Sequence, residues 1–347
     1  MKITAAILEQ INQPLTLCEN ITIPTLRKGQ VLIKLDYSGV CHSQLMEVQG
    51  RRGEDKFLPH MLGHEGVGRV VAVGEKVQKI SVGDDVILGW IKSEGIDAGG
   101  CKYLHNEREI NAGAVTTFSN YAVVSENRLV KLPKGINKKT AVLLGCALPT
   151  GAGIVLNQLK PKIGKSVGVY GLGGIGLSAL LALKHFEPSH VIAFDIEESK
   201  LILAKELGAT HCYEVGEQGR AQFLIDFPEG IDYIVEAAGK TSTIEAAFSL
   251  VKKGGGKCIF ASHPPSGETI QLDPFDLICG KQIEGSWGGA SKPDKDIPFI
   301  VDIINKYTLP VEKLLSNEYS LMDINQALTD LEQRKITRAL IHFENLI

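Results

Sequence analysis

The chain has 347 residues, of which 44% are hydrophobic and 22% charged, a balance that suits a folded chain with room for two domains and excludes a disordered or fibrous protein. A formal net charge of -3, with no run of like charge, gives no electrostatic footprint for nucleic acid or an anionic membrane, so small molecules are the expected partners. Seven cysteines, odd in number and scattered, do not make a disulfide framework.

The N-terminal run Met1–Glu9 meets a charge before any long apolar stretch and reads as a first strand rather than a signal peptide, which places the protein in the cytoplasm. Through about residue 135 the chain carries short β-rich runs such as Gln30–Leu35 and Val67–Val73, separated by glycine and charged turns, and these predict a compact, mostly antiparallel β domain. Within this part lie Cys41-His42-Ser43 and Gly63-His64-Glu65, and Gly145-Cys146 follows. Cys41, His64 and Cys146 are three ligand types for Zn²⁺, and three protein ligands leave a fourth tetrahedral position open for water or substrate, as catalytic sites require. Gaps of 23 and 82 residues (64 − 41 and 146 − 64) are no zinc-finger spacing, so the fold must bring the three together. Taken singly, each reads as a small buried hydrophobe or a satisfied polar group; their joint order ahead of a nucleotide turn points to a metal.

After Pro133-Lys134-Gly135 apolar strands alternate with helices: Ser166–Tyr170, His190–Asp195 followed by a helix over Glu197–Leu207, Ile231–Glu236 and Lys257–Ala261. That alternation predicts a doubly wound parallel sheet. Gly171-Leu172-Gly173-Gly174-Ile175-Gly176 follows the first of these strands and opens a helix, with Asp195 nineteen residues beyond (195 − 176). Gly171 permits the tight turn, Gly173 the approach of a pyrophosphate, and Gly176 close packing of helix on strand. A carboxylate at Asp195 accepts hydrogen bonds from an adenosine ribose and repels a 2′-phosphate, which favours NAD over NADP. Two C-terminal helices are expected near Ile297–Tyr307 and Asp323–Arg334, with a closing strand Ala339–Phe343 rejoining the first domain.

With these motifs in register, the chain resembles the zinc-dependent alcohol dehydrogenases of the medium-chain dehydrogenase/reductase superfamily, over nearly its whole length. The resemblance rests on Gly39–Ser43, Gly63–Glu65, Gly145–Gly151, the turn at 171–176, and Arg338 before the last strand. It implies an α/β fold, a Rossmann domain at 148–287 and a GroES-like, mostly antiparallel β catalytic domain from 1–147 and 288–347, with the active site in the cleft between. It also implies that Cys41, His64 and Cys146 hold the catalytic zinc with Glu65 behind them, that Ser43 bonds the substrate oxygen, and that His42 and Arg338 face the cofactor pyrophosphate. Lys200 then lies near the adenosine ribose, Thr150 seats the nicotinamide end, and the protein is a homodimer or homotetramer. A hydroxyl two residues from a ligand suits a proton relay, although Ser43 alternatively caps a short helix.

The chain departs from its relatives in three places. Between Ile91 and Ser119 there is one cysteine, Cys101, so a four-cysteine structural zinc site cannot form; one zinc per subunit is expected, and Cys101, His105, Glu107 and Glu109 are read as an exposed polar loop in preference to a substitute metal site. Gln44 stands where the family often has Asp, and is read as able to accept a bond from a His64 ring nitrogen. Met46 stands where many relatives have a relay histidine, and thioether sulfur passes no proton. The leading reading is an NAD-dependent zinc alcohol dehydrogenase interconverting an alcohol with an aldehyde or ketone. The charged loop Gln49–Phe57 and the indoles of Trp90 and Trp287 keep a polyol, sugar or cyclitol substrate in play; a zinc-free reductase and a non-catalytic NAD-sensing or assembly protein are the other classes weighed.

Overall fold

The computed structural model describes residues 1–343. The chain forms two compact units: one from Met1–Cys146, Lys292–Val301 and the residues from Val311 on, the other from Ala147–Ser291 and Asp302–Pro310.

The first unit contains two β assemblies. A closed barrel runs in the order Lys2–Leu8, Thr16–Thr22, Cys101–His105, Arg108–Ala112 and His60–Met61. A seven-stranded sheet is organised on the eleven-residue strand Gln30–Val40. One edge of that strand pairs antiparallel with Gly66–Val73; the other pairs with Tyr121–Ser125 along its first half and with Ala339–His342 along its second. The late strand thus lies against Tyr37–Val40, immediately before Cys41. Inward-facing Val31, Ile33, Leu35, Val70, Val124 and Ile341 form part of one core and are essentially inaccessible. Each such side chain contributes roughly 1.5–3 kcal/mol by leaving water.

The reading of Cys101–Glu109 as an exposed loop is corrected by two barrel strands. Residues 101–105 alternate, with Tyr103 and, on the partner strand, Ile110 fully buried between exposed Lys102 and Leu104. The period-two pattern was present but short, and its polar members masked it. Burial pushes the Cys101 thiol up to about 11, and Cys101 joins no metal-ligand cluster among the described residues.

The second unit holds a six-stranded, all-parallel sheet in the order His211–Glu214, His190–Asp195, Ser166–Tyr170, Tyr233–Glu236, Lys257–Phe260, Gln282–Gly285. Numbered along the chain this is 3-2-1-4-5-6, the dinucleotide-binding order, whose switch point lies beside the first strand. No single helix among the described residues is long and apolar enough to cross a membrane.

Candidate active site

The metal constellation is assembled within the first unit from segments far apart in sequence. Cys41 ends the strand Gln30–Val40 and is the N-cap of the helix His42–Val48, with extended dihedrals (φ -108°, ψ 153°) that turn the chain out of the sheet. The side chain of Gln44, three residues on, reaches back so that its Oε1 accepts from Cys41 N–H at 3.0 Å, half of a capping box. Ser43 therefore does not cap this helix; its Oγ lies 3.5 Å from His64 Nδ1.

His64 follows Gly63, whose φ of +88° is strained for any residue with a Cβ. Cys146 ends the short helical run Val142–Gly145, after a helix capped by Asn137. Gly145 is pressed against the Leu88 carbonyl and Glu65, so that any side chain there would push Cys146 away. The result is that one ligand atom from each of Cys41, His64 and Cys146 lies within 4.8 Å of the others. Tetrahedral zinc with ordinary Zn–S and Zn–N bonds separates its ligands by about 3.5–3.8 Å, so small side-chain adjustments suffice.

Electrostatics and valence support the same use. Among the described residues His64 Nε2 is buried with no hydrogen-bond partner, an orphan of the kind a cation can satisfy. The Cys146 thiol donates toward Cys41, which holds Cys41 well below the ordinary thiol range and raises Cys146, as expected of two sulfurs sharing one proton. Arg338 and His64 further favour a thiolate at Cys41. Behind them Glu65 is fully buried, and its Oε1 accepts from Arg338 Nη1 at 2.5 Å across 273 residues of sequence. Burial opposes the charge on Arg338, but Glu65 and the two cysteines outweigh it and hold the guanidinium above its ordinary value. Glu65 Oε2 has no hydrogen-bond partner among the described residues. The sequence reading missed this pair: it assigned Glu65 to the metal site and Arg338 to the pyrophosphate, and nothing in the sequence links positions 65 and 338. Exposed His42 lies next to Cys41 at the helix start.

The reading of Gln44 is corrected. Its oxygen is engaged by Cys41, and it is the amide nitrogen that faces His64 Nδ1.

In the second unit the glycine turn has the geometry its sequence implies. Gly171 has φ +90°, and a Cβ there would lie 2.7 Å from Ala238 N. Gly173 precedes the helix Gly174–Ala182, and the space a Cβ would enter is open, a cradle for a phosphate at a helix start that also presents Gly174 and Ile175. At Gly176 a Cβ would lie 1.9 Å from the Gly171 carbonyl oxygen. Asp195 accepts from Leu172 N at 2.6 Å and from Glu197 N at 3.0 Å, which ties the second strand to the turn. Lys200 is ion-paired with Glu197 at 2.9 Å, and the hydroxyl of buried Thr150 has no hydrogen-bond partner among the described residues.

Comparison with known proteins agrees with this geometry. Residues 27–134 match the alcohol dehydrogenase GroES-like domain, and residues 174–305 the zinc-binding dehydrogenase domain. An S-(hydroxymethyl)glutathione dehydrogenase of Synechocystis is 30% identical, with 99% of this chain and 100% of that protein aligned, and one from Haemophilus influenzae is 31% identical over 99% and 98%. The chain belongs to the zinc-dependent alcohol dehydrogenase family. The crystal structure of benzyl alcohol dehydrogenase from Acinetobacter calcoaceticus superposes on this family member with a TM-score of 0.89 at 29% identity, covering 99% of both chains. An alcohol dehydrogenase zinc-binding domain protein from Burkholderia ambifaria gives 0.91 at 27%, covering 99% of this chain and 100% of that one. The chain is thus a zinc-dependent alcohol dehydrogenase, an oxidoreductase of a GroES-like plus Rossmann fold.

Proposed function

We propose that this alcohol dehydrogenase uses NAD and a single zinc ion per chain to interconvert an alcohol with its aldehyde or ketone, and that Cys41, His64 and Cys146 hold the metal. The observation that carries this reading is the convergence of the three donors around an unpartnered His64 Nε2. Bound zinc supplies Lewis acidity, which makes a substrate hydroxyl easier to deprotonate and a carbonyl easier to reduce.

The chain's own residues do the rest. Ser43, whose hydroxyl both donates and accepts, relays the substrate proton by accepting it as its own proton passes on to solvent. Glu65 and Arg338 bring a buried charge pair that sums to zero, so the ligand set keeps the balance of one divalent cation against two thiolates. The glycine turn from Gly171 to Gly176 receives the pyrophosphate at the start of the helix Gly174–Ala182. Asp195 accepts from the adenosine ribose beside Lys200, and Thr150 meets the nicotinamide end. Asp195 carries the preference for NAD, since its carboxylate sits where NADP would bring a phosphate.

A second zinc is not part of this reading, because Cys101 stands on a barrel strand with a raised thiol pKa and no ligand neighbours among the described residues. The charged loop offers little support for a polyol: Arg52 pairs with Glu47, Lys56 with Glu54 and His60 with Asp55, and Trp287 is 80% exposed. The end strand Gln282–Gly285 pairs with Lys257–Phe260 alone, which suits a homodimer or homotetramer joined through the sheet edge. Seven unpaired cysteines suit the reducing cytoplasm.

The test is a panel of primary, secondary and polyhydroxylated alcohols offered with NAD and then NADP, following reduced nicotinamide by absorbance alongside metal analysis. One zinc per chain and turnover with NAD are expected; absence of turnover with every alcohol in the zinc-loaded protein would overturn the reading.

A further inference from the structure

Gln44 is 2% exposed and touches two groups of the metal site at once. Its Oε1 accepts from Cys41 N–H at 3.0 Å, and its amide nitrogen faces His64 Nδ1. That second contact suits only one imidazole tautomer. An amide N–H₂ can donate to Nδ1 when Nδ1 carries a lone pair, which puts the ring proton on Nε2, the atom turned toward the sulfurs. A cation at Nε2 demands the reverse: Nε2 gives its lone pair, Nδ1 becomes N–H, and that N–H needs an acceptor. The Ser43 hydroxyl, 3.5 Å from Nδ1, is at the outer limit of a hydrogen bond. A carboxylate has two oxygens and would serve Cys41 and His64 together, whereas a carboxamide has one.

We propose that Gln44 is a positioning residue whose single amide oxygen is contested by Cys41 N–H and His64 Nδ1–H, so that loading the metal turns the amide over and releases the Cys41 backbone. The inference rests on the zinc reading above and adds to it a switch in the residue behind the ligands. It makes two statements that a merely space-filling Gln44 would not. The first is that the site holds its metal less firmly than an acidic residue here would allow. The second is that the Cys41 amide loses protection when the metal enters, against the usual tightening of a protein around a bound ion.

Both are measured on the zinc-loaded enzyme. Metal release to a coloured chelator is timed for the wild type, Gln44→Glu and Gln44→Leu, after thermal unfolding has shown each variant folded. Outer partners of metal-binding histidines are generally worth about 10–100-fold in affinity, so release is expected to slow by about tenfold in Gln44→Glu and to quicken by about tenfold in Gln44→Leu. Hydrogen exchange at Cys41, read on protein labelled with ¹⁵N-cysteine, needs no variant and separates the amide turn from a simple effect of added charge. Exchange is expected to be faster in the loaded wild type than in the metal-free protein, and to slow again in loaded Gln44→Glu. Release from Gln44→Glu as fast as from wild type, or Cys41 protection unchanged or increased by zinc, would overturn the proposal with the zinc reading intact. A wild-type preparation that takes up no zinc would overturn both.

Discussion

Two buried polar clusters in the first unit, one around His64 and one around Glu126, use the same kinds of group to opposite ends. Glu126 is 2% exposed, and its carboxylate accepts from Gln78 N, Lys79 N and Ile96 N at 2.7, 2.9 and 2.8 Å. Next to it Ser125 Oγ accepts from Ala98 N at 2.8 Å. Both Glu126 oxygens are occupied. Around His64, by contrast, His64 Nε2 and Glu65 Oε2 have no hydrogen-bond partner among the described residues, and two sulfurs lie side by side. Unsatisfied buried atoms are costly, so a fold keeps them where something else is to arrive. A saturated cluster pins a loop, here residues 93–98, and an unsaturated one leaves donors and acceptors open to a ligand.

The sharpest break in that contrast comes from the unsaturated side. Cys146→Ala removes one of the three proposed metal donors and is expected to lower kcat/KM by roughly a thousandfold or more and to abolish stoichiometric zinc, measured by steady-state kinetics and metal analysis. A variant that stays active with zinc bound would show that Cys146 is structural. Ser43→Ala should keep the metal and lower kcat by about a hundredfold, with the deficit largest at low pH, where hydroxide is least able to replace the lost relay. In the second unit, Asp195→Ser should shift the ratio of kcat/KM for NAD over NADP by about 10–100-fold toward NADP, since it removes a like-charge clash.

The smallest catalytic effect is expected from the saturated cluster. Glu126→Gln should leave kcat unchanged while costing roughly 2 kcal/mol of stability by denaturant unfolding, because an amide oxygen and an amide nitrogen cannot both accept. Burial works against the Glu126 charge, but the N–H groups of Ile96, Lys79 and Gln78 outweigh it and hold the carboxyl below its ordinary value of 4.5. A depressed folded-state pKa contributes stability that is complete above the ordinary value and is lost as pH falls through the folded value. The gap between wild type and Glu126→Gln should therefore be widest near neutrality and close in acid. A gap that grew as pH fell would reverse the assignment.

Legibility in the sequence followed how local each feature is. The glycine turn spans six residues, and every one of its steric demands is written in the residue itself, so Gly171, Gly173 and Gly176 were readable directly. The alternation that gives the parallel sheet was equally plain. The trio Cys41, His64 and Cys146, which the structure brings within reach of one another, stood out only in combination, since each alone is ambiguous. What escaped was pairing at long range and the direction of a hydrogen bond. Glu65 and Arg338 are unremarkable until the strand Ala339–His342 comes to lie against Gln30–Val40. Gln44 was seen as a partner of His64, but which end of its amide would face the ring depended on Cys41 N–H, which the sequence does not show. The barrel strands around Cys101 were missed because two turns of period-two pattern are too few to stand out from a polar loop.

The late arrival of Arg338 has a consequence for biogenesis. When a ribosome has completed Cys146, all three donors exist, yet 192 further residues (338 − 146) must be translated before the guanidinium that neutralises Glu65 is made. Those residues include the whole nucleotide-binding sheet. Until then the pocket lacks both the guanidinium that pairs with Glu65 and the strand that borders Tyr37–Val40, so its buried ion pair closes only after the Rossmann unit has been synthesised.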